Sequence, residues 1–341
     1  MSFFLLLMLM TVSFSAQACP ESTLASATYP LSCSSLSINS DINLSNISSP
    51  IIINVTGDVS INAQVIINGQ AGNLIVGDII DLPGGAPGPG GYAGGGYSAL
   101  QPESGKGSSG GSVGERDLVN CGDGGAGGGL VTSGLNGTPC LGSTLSPSNG
   151  GLPFDLSNIE IALSGGHGGG AGGEVDNSAI ASGGGGGGAI YIIAGGKITL
   201  SSKASILANG GNGANSINEN GAGGGGSGGV IILEASDLDI QGKLSALGGK
   251  GGRASDGGHG GNGSNGLIRL KDLEGVTDYI GEKIPPVIQE LKLDSSISCG
   301  TVAIAKENNG PSSFFFQIFG PLFLLVFLNH LRRKDQSPVS E

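Results

Sequence analysis

The sequence predicts an all-β fold: a parallel β-helix (β-solenoid) with glycine-rich, polyproline-II-like insertions and a C-terminal transmembrane helix. Three observations predict it. Residues 34–68 alternate aliphatic side chains with Ser and Asn, the period of half-buried strands. A glycine run that opens an aliphatic strand recurs at offsets of 41 and 37 residues, at Gly185, Gly226 and Gly263, a spacing typical of repeat architectures. Glycine supplies 69 of 341 residues, and aromatics only 4 %. Nine of the ten phenylalanines fall in the first 14 or last 28 residues. A globular α/β or helical core depends on large aromatic and aliphatic side chains and is excluded, whereas stacked coils around a thin aliphatic ladder need few aromatics.

Residues 1–18 read as a signal peptide. Ser2 to Met10 is almost wholly apolar, and Ala16-Gln17-Ala18 is a small-residue cleavage site. The one departure is that no Lys or Arg precedes the apolar run. The run is too short to span a bilayer. Lipoprotein processing at Cys19 is disfavoured because Ala16, not Leu, stands three residues before it, with Gln17 between. Cys19 and Cys33 lie 14 residues apart, and Cys121 and Cys140 lie 19 apart. Both pairs are expected to close small disulfide loops in an oxidising compartment. Cys299 is left over, either free, paired between molecules, or paired with Cys33 if Cys19 is lipidated. No pair has metal-ligand spacing.

Residues 19–82 are read as the first coils, with strand starts at Leu36, Ile42, Ile47, Ile53, Val59 and Val65. Residues 83–150 form a Gly/Pro-rich insertion with the weakest periodicity. Pro83, Pro87, Pro89, Pro102, Pro139 and Pro147 lie in it, and partial disorder is expected there. Residues 151–275 are the glycine-rich repeats. Gly185-Gly186-Gly187-Gly188-Ala189-Ile190-Tyr191-Ile192 is matched by the segments beginning at Gly226 and Gly263. A second element, Ile206-Leu207-Ala208-Asn209-Gly210-Gly211, is matched by the segments beginning at Ile161 and Leu244. Sixty of the 69 glycines lie between Gly84 and Gly266. Flexible linkers would not need to keep register with strands, so the runs are expected to pack as rods joined backbone to backbone.

Residues 276–313 read as a linker and 314–331 as a transmembrane or sorting helix. Phe314 to Leu331 is 18 residues without a formal charge, the lower limit for a span. Arg332, Arg333 and Lys334 begin a basic tail, 332–341, expected to stay in the cytoplasm with the body outside. The segment from Asn308-Asn309-Gly310-Pro311-Ser312-Ser313 through this tail resembles the tripartite C-terminal sorting signals of bacterial surface proteins. That resemblance implies a sorting protease as a partner. The repeats, over residues 30–275, resemble glycine-rich parallel β-helix surface proteins of bacteria, and their interrupted glycine runs resemble phage tail-tip adhesins. These resemblances imply surface display and adhesion.

Chemistry-bearing residues are few. Asn212, Asn215, Asn218, Asn262 and Asn265 are read as polar ligand contacts. The segments beginning at Gly210 and Gly260 fit a calcium nonapeptide with Asn in place of Asp. Each stands alone without the carboxylate that calcium prefers, so no cofactor is expected. Asp237 and Asp239 share one side of a strand. Lys197 and Thr199 occupy equivalent places one coil earlier, so the carboxylates read as a cross-strand ion-paired face rather than a glycosidase or lyase pair. His167 and His259 read as hydrogen-bonded loop residues. No phosphate-loop motif is present, and a net charge of −12 disfavours nucleic acid. The expected role is therefore a non-enzymatic, surface-anchored structural or adhesive protein that binds polysaccharide or other cell-surface ligands polyvalently. A polysaccharide lyase or hydrolase is the alternative, and an ice-binding protein the third reading.

Overall fold

The computed structural model describes residues 17–77, 81–99, 101–116, 121–175 and 179–273, and the backbone of 278–279, 283–284 and 288–291. All of these belong to one compact unit, residues 1–292. The expected signal peptide and the 314–331 helix lie outside the described residues. Among those described, no helix is long and apolar enough to cross a membrane.

The chain is all-β. A 3-10 turn, Glu21–Thr23, precedes β1 (Leu31–Cys33), β2 (Leu36–Ile38), β3 (Ile42–Asn43), β4 (Ile51–Val55), β5 (Val59–Ile61) and β6 (Gln64–Ile66). A long glycine-rich excursion carries only β7 (Leu74–Val76), β8 (Tyr97–Ser98), β9 (Gln101–Pro102) and β10 (Ala179–Ala181). The regular strands then resume as β11 (Ala189–Ala194), β12 (Lys197–Leu200), β13 (Ser205–Leu207), β14 (Val230–Ala235), β15 (Asp237–Ile240), β16 (Lys243–Ser245) and β17 (Leu267–Asp272). They end with β18 (Asp278–Tyr279), β19 (Lys283–Ile284) and β20 (Ile288–Leu291).

Three parallel sheets collect these strands in rotation. The first is ordered β1-β4-β11-β14-β17-β20, the second β2-β5-β12-β15-β18 and the third β3-β6-β13-β16-β19. The alternation gives most of these strands one face of buried aliphatics, whereas β11 and β14 are buried on both faces. Ile53, Ile192, Leu233 and Leu270 are in register in the first sheet, Ile38, Ile61, Leu200 and Ile240 in the second, and Val65, Ile206 and Leu244 in the third. All of these side chains join one buried aliphatic cluster. Among the described residues its fully buried members include no Phe, Tyr or Trp, and Tyr29 packs at its margin, in keeping with the low aromatic content.

The structure corrects several expectations. β4 pairs directly with β11, and β6 with β13, across an excursion of more than a hundred residues. No slot remains between those strands, so Ile161-Ala162-Leu163 is not the repeat strand its sequence resembles. It lies in turns, with Ile161 89 % exposed. Leu163, Ile159, Leu156 and Phe154 instead pack on the outward face of the first sheet, against Tyr191, Val230 and Ile232. Ile47 is not in a strand, and Leu31–Cys33 is. The sheets also continue past residue 275, because Tyr279 pairs with Ile240, Lys283 with Leu244 and Ile288 with Arg269. β7 and β10 form an antiparallel pair that the periodicity did not signal.

The glycine runs form a hydrogen-bonded lattice, and residues of the 83–150 insertion that were expected to be partly disordered are part of it. Successive N–H groups of 183–188 address three different neighbours in turn. Gly183 and Gly186 donate to Gly95 and Tyr92, Gly184 and Gly187 to Gly224 and Ser227, and Gly185 and Gly188 to Gln70 and Ile67. The segment 221–229 repeats the pattern. Gly221, Gly224 and Ser227 donate to Gly173, Gly170 and His167, while Ala222, Gly225 and Gly228 donate to Gly258, Gly261 and Ser264. The remaining donors, Gly223, Gly226 and Gly229, reach Ala214, Gly211 and Ala208. The insertion joins through Gly122, Gly125 and Gly128, which donate to Glu219, Ala222 and Gly225.

Both expected disulfides are formed, Cys19–Cys33 and Cys121–Cys140, and they point to an oxidising environment. The Cys121–Cys140 bond ties two segments that also exchange backbone bonds, Gly124 to Thr138 and Gly127 to Leu135. Replacing both cysteines with serine is expected to lower unfolding stability by about 3 kcal/mol. Urea titration checks this, and an unchanged midpoint would show that the lattice holds this loop without the bond.

Candidate binding face

The outer rods of the lattice present side chains at a three-residue period. From Leu247 to Arg253 the residues run exposed, intermediate, buried, then repeat, so that Leu247, Lys250 and Arg253 form one exposed row. His259, Asn262 and Asn265 form a second row, and Asn212, Asn215 and Asn218 a third. These rods are neighbours. Gly260 and Gly263 donate to Gly252 and Gly249, and Gly210, Gly213 and Ser216 donate to Leu247, Lys250 and Arg253.

The central rod lies at the surface and lacks lattice neighbours for many of its N–H groups. Asparagine side chains supply the acceptors. Leu247, Lys250 and Arg253 donate to the Oδ1 atoms of Asn209, Asn212 and Asn215 at 2.9, 2.8 and 2.8 Å. On the other flank, Gly248 and Gly251 donate to Oδ1 of Asn265 and Asn262 at 3.1 and 2.8 Å. Four of the five residues read as ligand contacts are thus brought together, but as two ladders that cap a rod. Their carbonyl oxygens, which a calcium ion would need, already accept backbone bonds. Asn218 stands apart, exposed and with a left-handed φ of 54°. The sequence signal for the ladders is the three-residue spacing Asn209, Asn212, Asn215, which the nonapeptide comparison obscured.

Asp237 and Asp239 lie where their pairing with the previous coil puts them. Lys197 Nζ is 2.9 Å from Asp237 and 3.5 Å from Asp239. The hydrogen bond to Asp237 raises the lysine above its usual range.

The densest group of titratable side chains was not anticipated. On the outward face of the first sheet, Glu160 accepts from Arg269 at 2.9 Å and from Lys271 at 2.7 Å. Lys271 also lies 3.4 Å from Glu234, which accepts from the Tyr191 hydroxyl. Burial opposes ionisation of Glu160, but the bonds from Lys271 and Arg269 outweigh it and hold the carboxyl below its ordinary range. Burial likewise opposes the charge on Lys271, yet the two glutamates raise it. Burial, reinforced by Glu234, pushes the Tyr191 hydroxyl up. The repeat offset of 37 residues places Glu234 opposite Lys271, so this pair was open to alignment. Glu160 was not, because its segment leaves the repeat. Every charged member has an opposite-charge partner, and the cluster fastens the 154–163 segment to the sheet.

His259 is hydrogen-bonded as expected, its Nδ1 accepting from Ala254 at 3.0 Å. His167 is not. It is fully buried, stacked on Tyr92 at 4.8 Å and tilted against Phe154, and neither ring nitrogen has a hydrogen-bond partner among the described residues. Burial pushes its pKa down to about 4. An unfolded histidine titrates near 6.5, so between those values the unfolded chain binds a proton that the folded chain refuses. Stability is therefore full above pH 6.5 and falls as the pH drops toward 4, by about 3 kcal/mol in all. His167→Phe keeps a ring between Tyr92 and Phe154 and is expected to flatten this dependence. Equal slopes for both proteins in chemical melts across pH 4–7 would refute the assignment.

Comparison with protein-family models, curated proteins and solved structures finds no match to this chain.

Proposed function

We propose that this is an exported, surface-anchored β-solenoid whose glycine segments are polyproline-II rods, and that it acts as an adhesive scaffold for polysaccharide or other cell-surface ligands. The three sheets are the faces of the solenoid, visited in turn by consecutive strands. Three residues per turn is the period of polyproline II, which makes no internal hydrogen bonds and so leaves every N–H for a neighbour. The disulfides support export, and the tail at 314–341 supplies the anchor.

The observation that carries the adhesive reading is the set of exposed rows on the outer rods. On polyproline-II rods they repeat about every 9 Å. A row of equivalent contacts on a backbone-locked support suits many weak interactions, which gain through effective concentration. Two side-chain clusters that resemble catalytic groups are engaged in ion pairs: Asp237 and Asp239 share Lys197, and Glu160 and Glu234 are balanced by Lys271 and Arg269.

Purified full-length protein incubated with intact cells and a polysaccharide panel tests this reading. Retention without new reducing or unsaturated ends is the expected result. New ends would establish an enzyme, and no retention on any surface would leave a passive coat protein.

A further inference from the structure

Away from the asparagine ladders, the insertion forms an open groove of about 500 Å³, within the size range of small-molecule sites. Ser108, Ser112, Ser133, Asn136 and Asn149 line it, with Leu152 at its edge, and no charged residue contributes to its wall. The side chains of Ser108, Ser112, Ser133 and Asn149 make no hydrogen bond within the described residues, so they are available to a ligand. Asn136 spends its Oδ1 on the Gly150 N–H at 2.9 Å and keeps its amide donor. A second groove of about 560 Å³ shares Ser112 and Asn149 and extends the first past Ser104 and Ser146, with Glu115 as its one charged lining residue, a further acceptor for sugar hydroxyls and unfavourable to an anion.

The walls are tied together by the backbone. Ser112 donates to the Asn149 carbonyl at 3.0 Å, and Gly134 to Gly151 at 2.9 Å. Binding therefore requires little reorganisation of the main chain. Hydroxyls and amides supply donors and acceptors together, and Leu152, 70 % exposed, supplies an apolar edge. An anionic polymer would find no cation in this wall, on a chain of net charge −12. A polyhydroxylated, uncharged ligand matches every feature.

We infer that this groove is a subsite for a neutral oligosaccharide, continued across the shared Ser112 and Asn149 into the second groove. The inference rests on the adhesive reading above and adds to the exposed rows a separate subsite with a stated ligand class. Ser108→Trp and Ser133→Trp test it, because both positions are exposed and the indoles fill the groove without entering the lattice. Full-length protein is titrated calorimetrically with neutral tetrasaccharides of glucose and of N-acetylglucosamine, with tetragalacturonate, and with an uncharged tetrapeptide. Unfolding midpoints equal to the parent's verify that the variants fold. The expected result is binding of a neutral tetrasaccharide that both variants weaken at least tenfold and that Lys203→Ala, in the exposed turn between β12 and β13, leaves unchanged. Binding that survives both tryptophans would overturn the groove while leaving the adhesive reading intact. Binding of only tetragalacturonate or the peptide would overturn the neutral-sugar class. If the parent binds none of the probes, the subsite is wrong, and the cell-retention assay decides the adhesive reading separately.

Discussion

Gly186→Ala is expected to destabilise the protein by more than about 3 kcal/mol, or to prevent folding outright. A Cβ there would lie 2.0 Å from the Gly166 carbonyl oxygen and 2.1 Å from its carbon. Both belong to a neighbouring rod whose main chain is fixed by its own bonds, Gly166 donating to Gly187 and accepting from Tyr92. Ordinary overpacking costs about 1–3 kcal/mol because side chains can rotate away. Here no side chain is available to move, and two rods would have to separate. Gly224→Ala, whose Cβ would lie 2.0 Å from the Ala126 oxygen, is expected to behave alike. Leu141→Ala, at a position 94 % exposed, is expected to change stability by less than about 0.5 kcal/mol. Equilibrium urea unfolding distinguishes these outcomes. A Gly186→Ala midpoint within error of the parent would mean that the rods are not in contact.

The second large effect concerns the aliphatic ladder. Ile192 is fully buried, in register with Ile53 on one side and Leu233 on the other. It therefore joins strands of the N-terminal coils to strands beyond the excursion. Ile192→Ala removes that contact and leaves a cavity that the flanking coils, fixed by parallel ladders, cannot collapse. A loss of about 2–5 kcal/mol is expected. Ile193 faces outward on the same strand and is only partly buried, so Ile193→Ala is expected to cost less. Equal losses for the two would mean that the strand's inward and outward faces are misassigned.

Strand register was open to reading wherever one face alternates. The inward alternation of Leu36–Ile38 and Val59–Ile61 follows from a period of two, and Lys197 opposite Asp237 and Glu234 opposite Lys271 follow from that period combined with a repeat near 40 residues, whereas Ile47 matched the alternation without forming a strand. The disulfide pairs followed from their spacing, because only short loops had to close. The 161–163 segment was misread because its residues match a strand that the direct β6–β13 pairing leaves no room for. The strands beyond residue 275 lack the glycine run that opens earlier coils, so nothing local marked them. The asparagine ladders follow a period of three, which is neither strand nor helix. Their purpose becomes visible only when the rod from Leu247 to Arg253 is seen to need acceptors. The groove depends on segments far apart in sequence, near Ser112, Ser133 and Asn149, and no local pattern joins them.

Amide hydrogen exchange on the native protein separates ordered glycine rods from flexible linkers. The amides of Gly183 to Gly188, and of Gly221 to Gly229, each donate to a neighbouring rod. They are expected to exchange as slowly as those of β11 and β14, through global unfolding. Exchange of these glycines at the rate of an unstructured peptide, with β11 and β14 still protected, would mean that the runs are linkers and not rods.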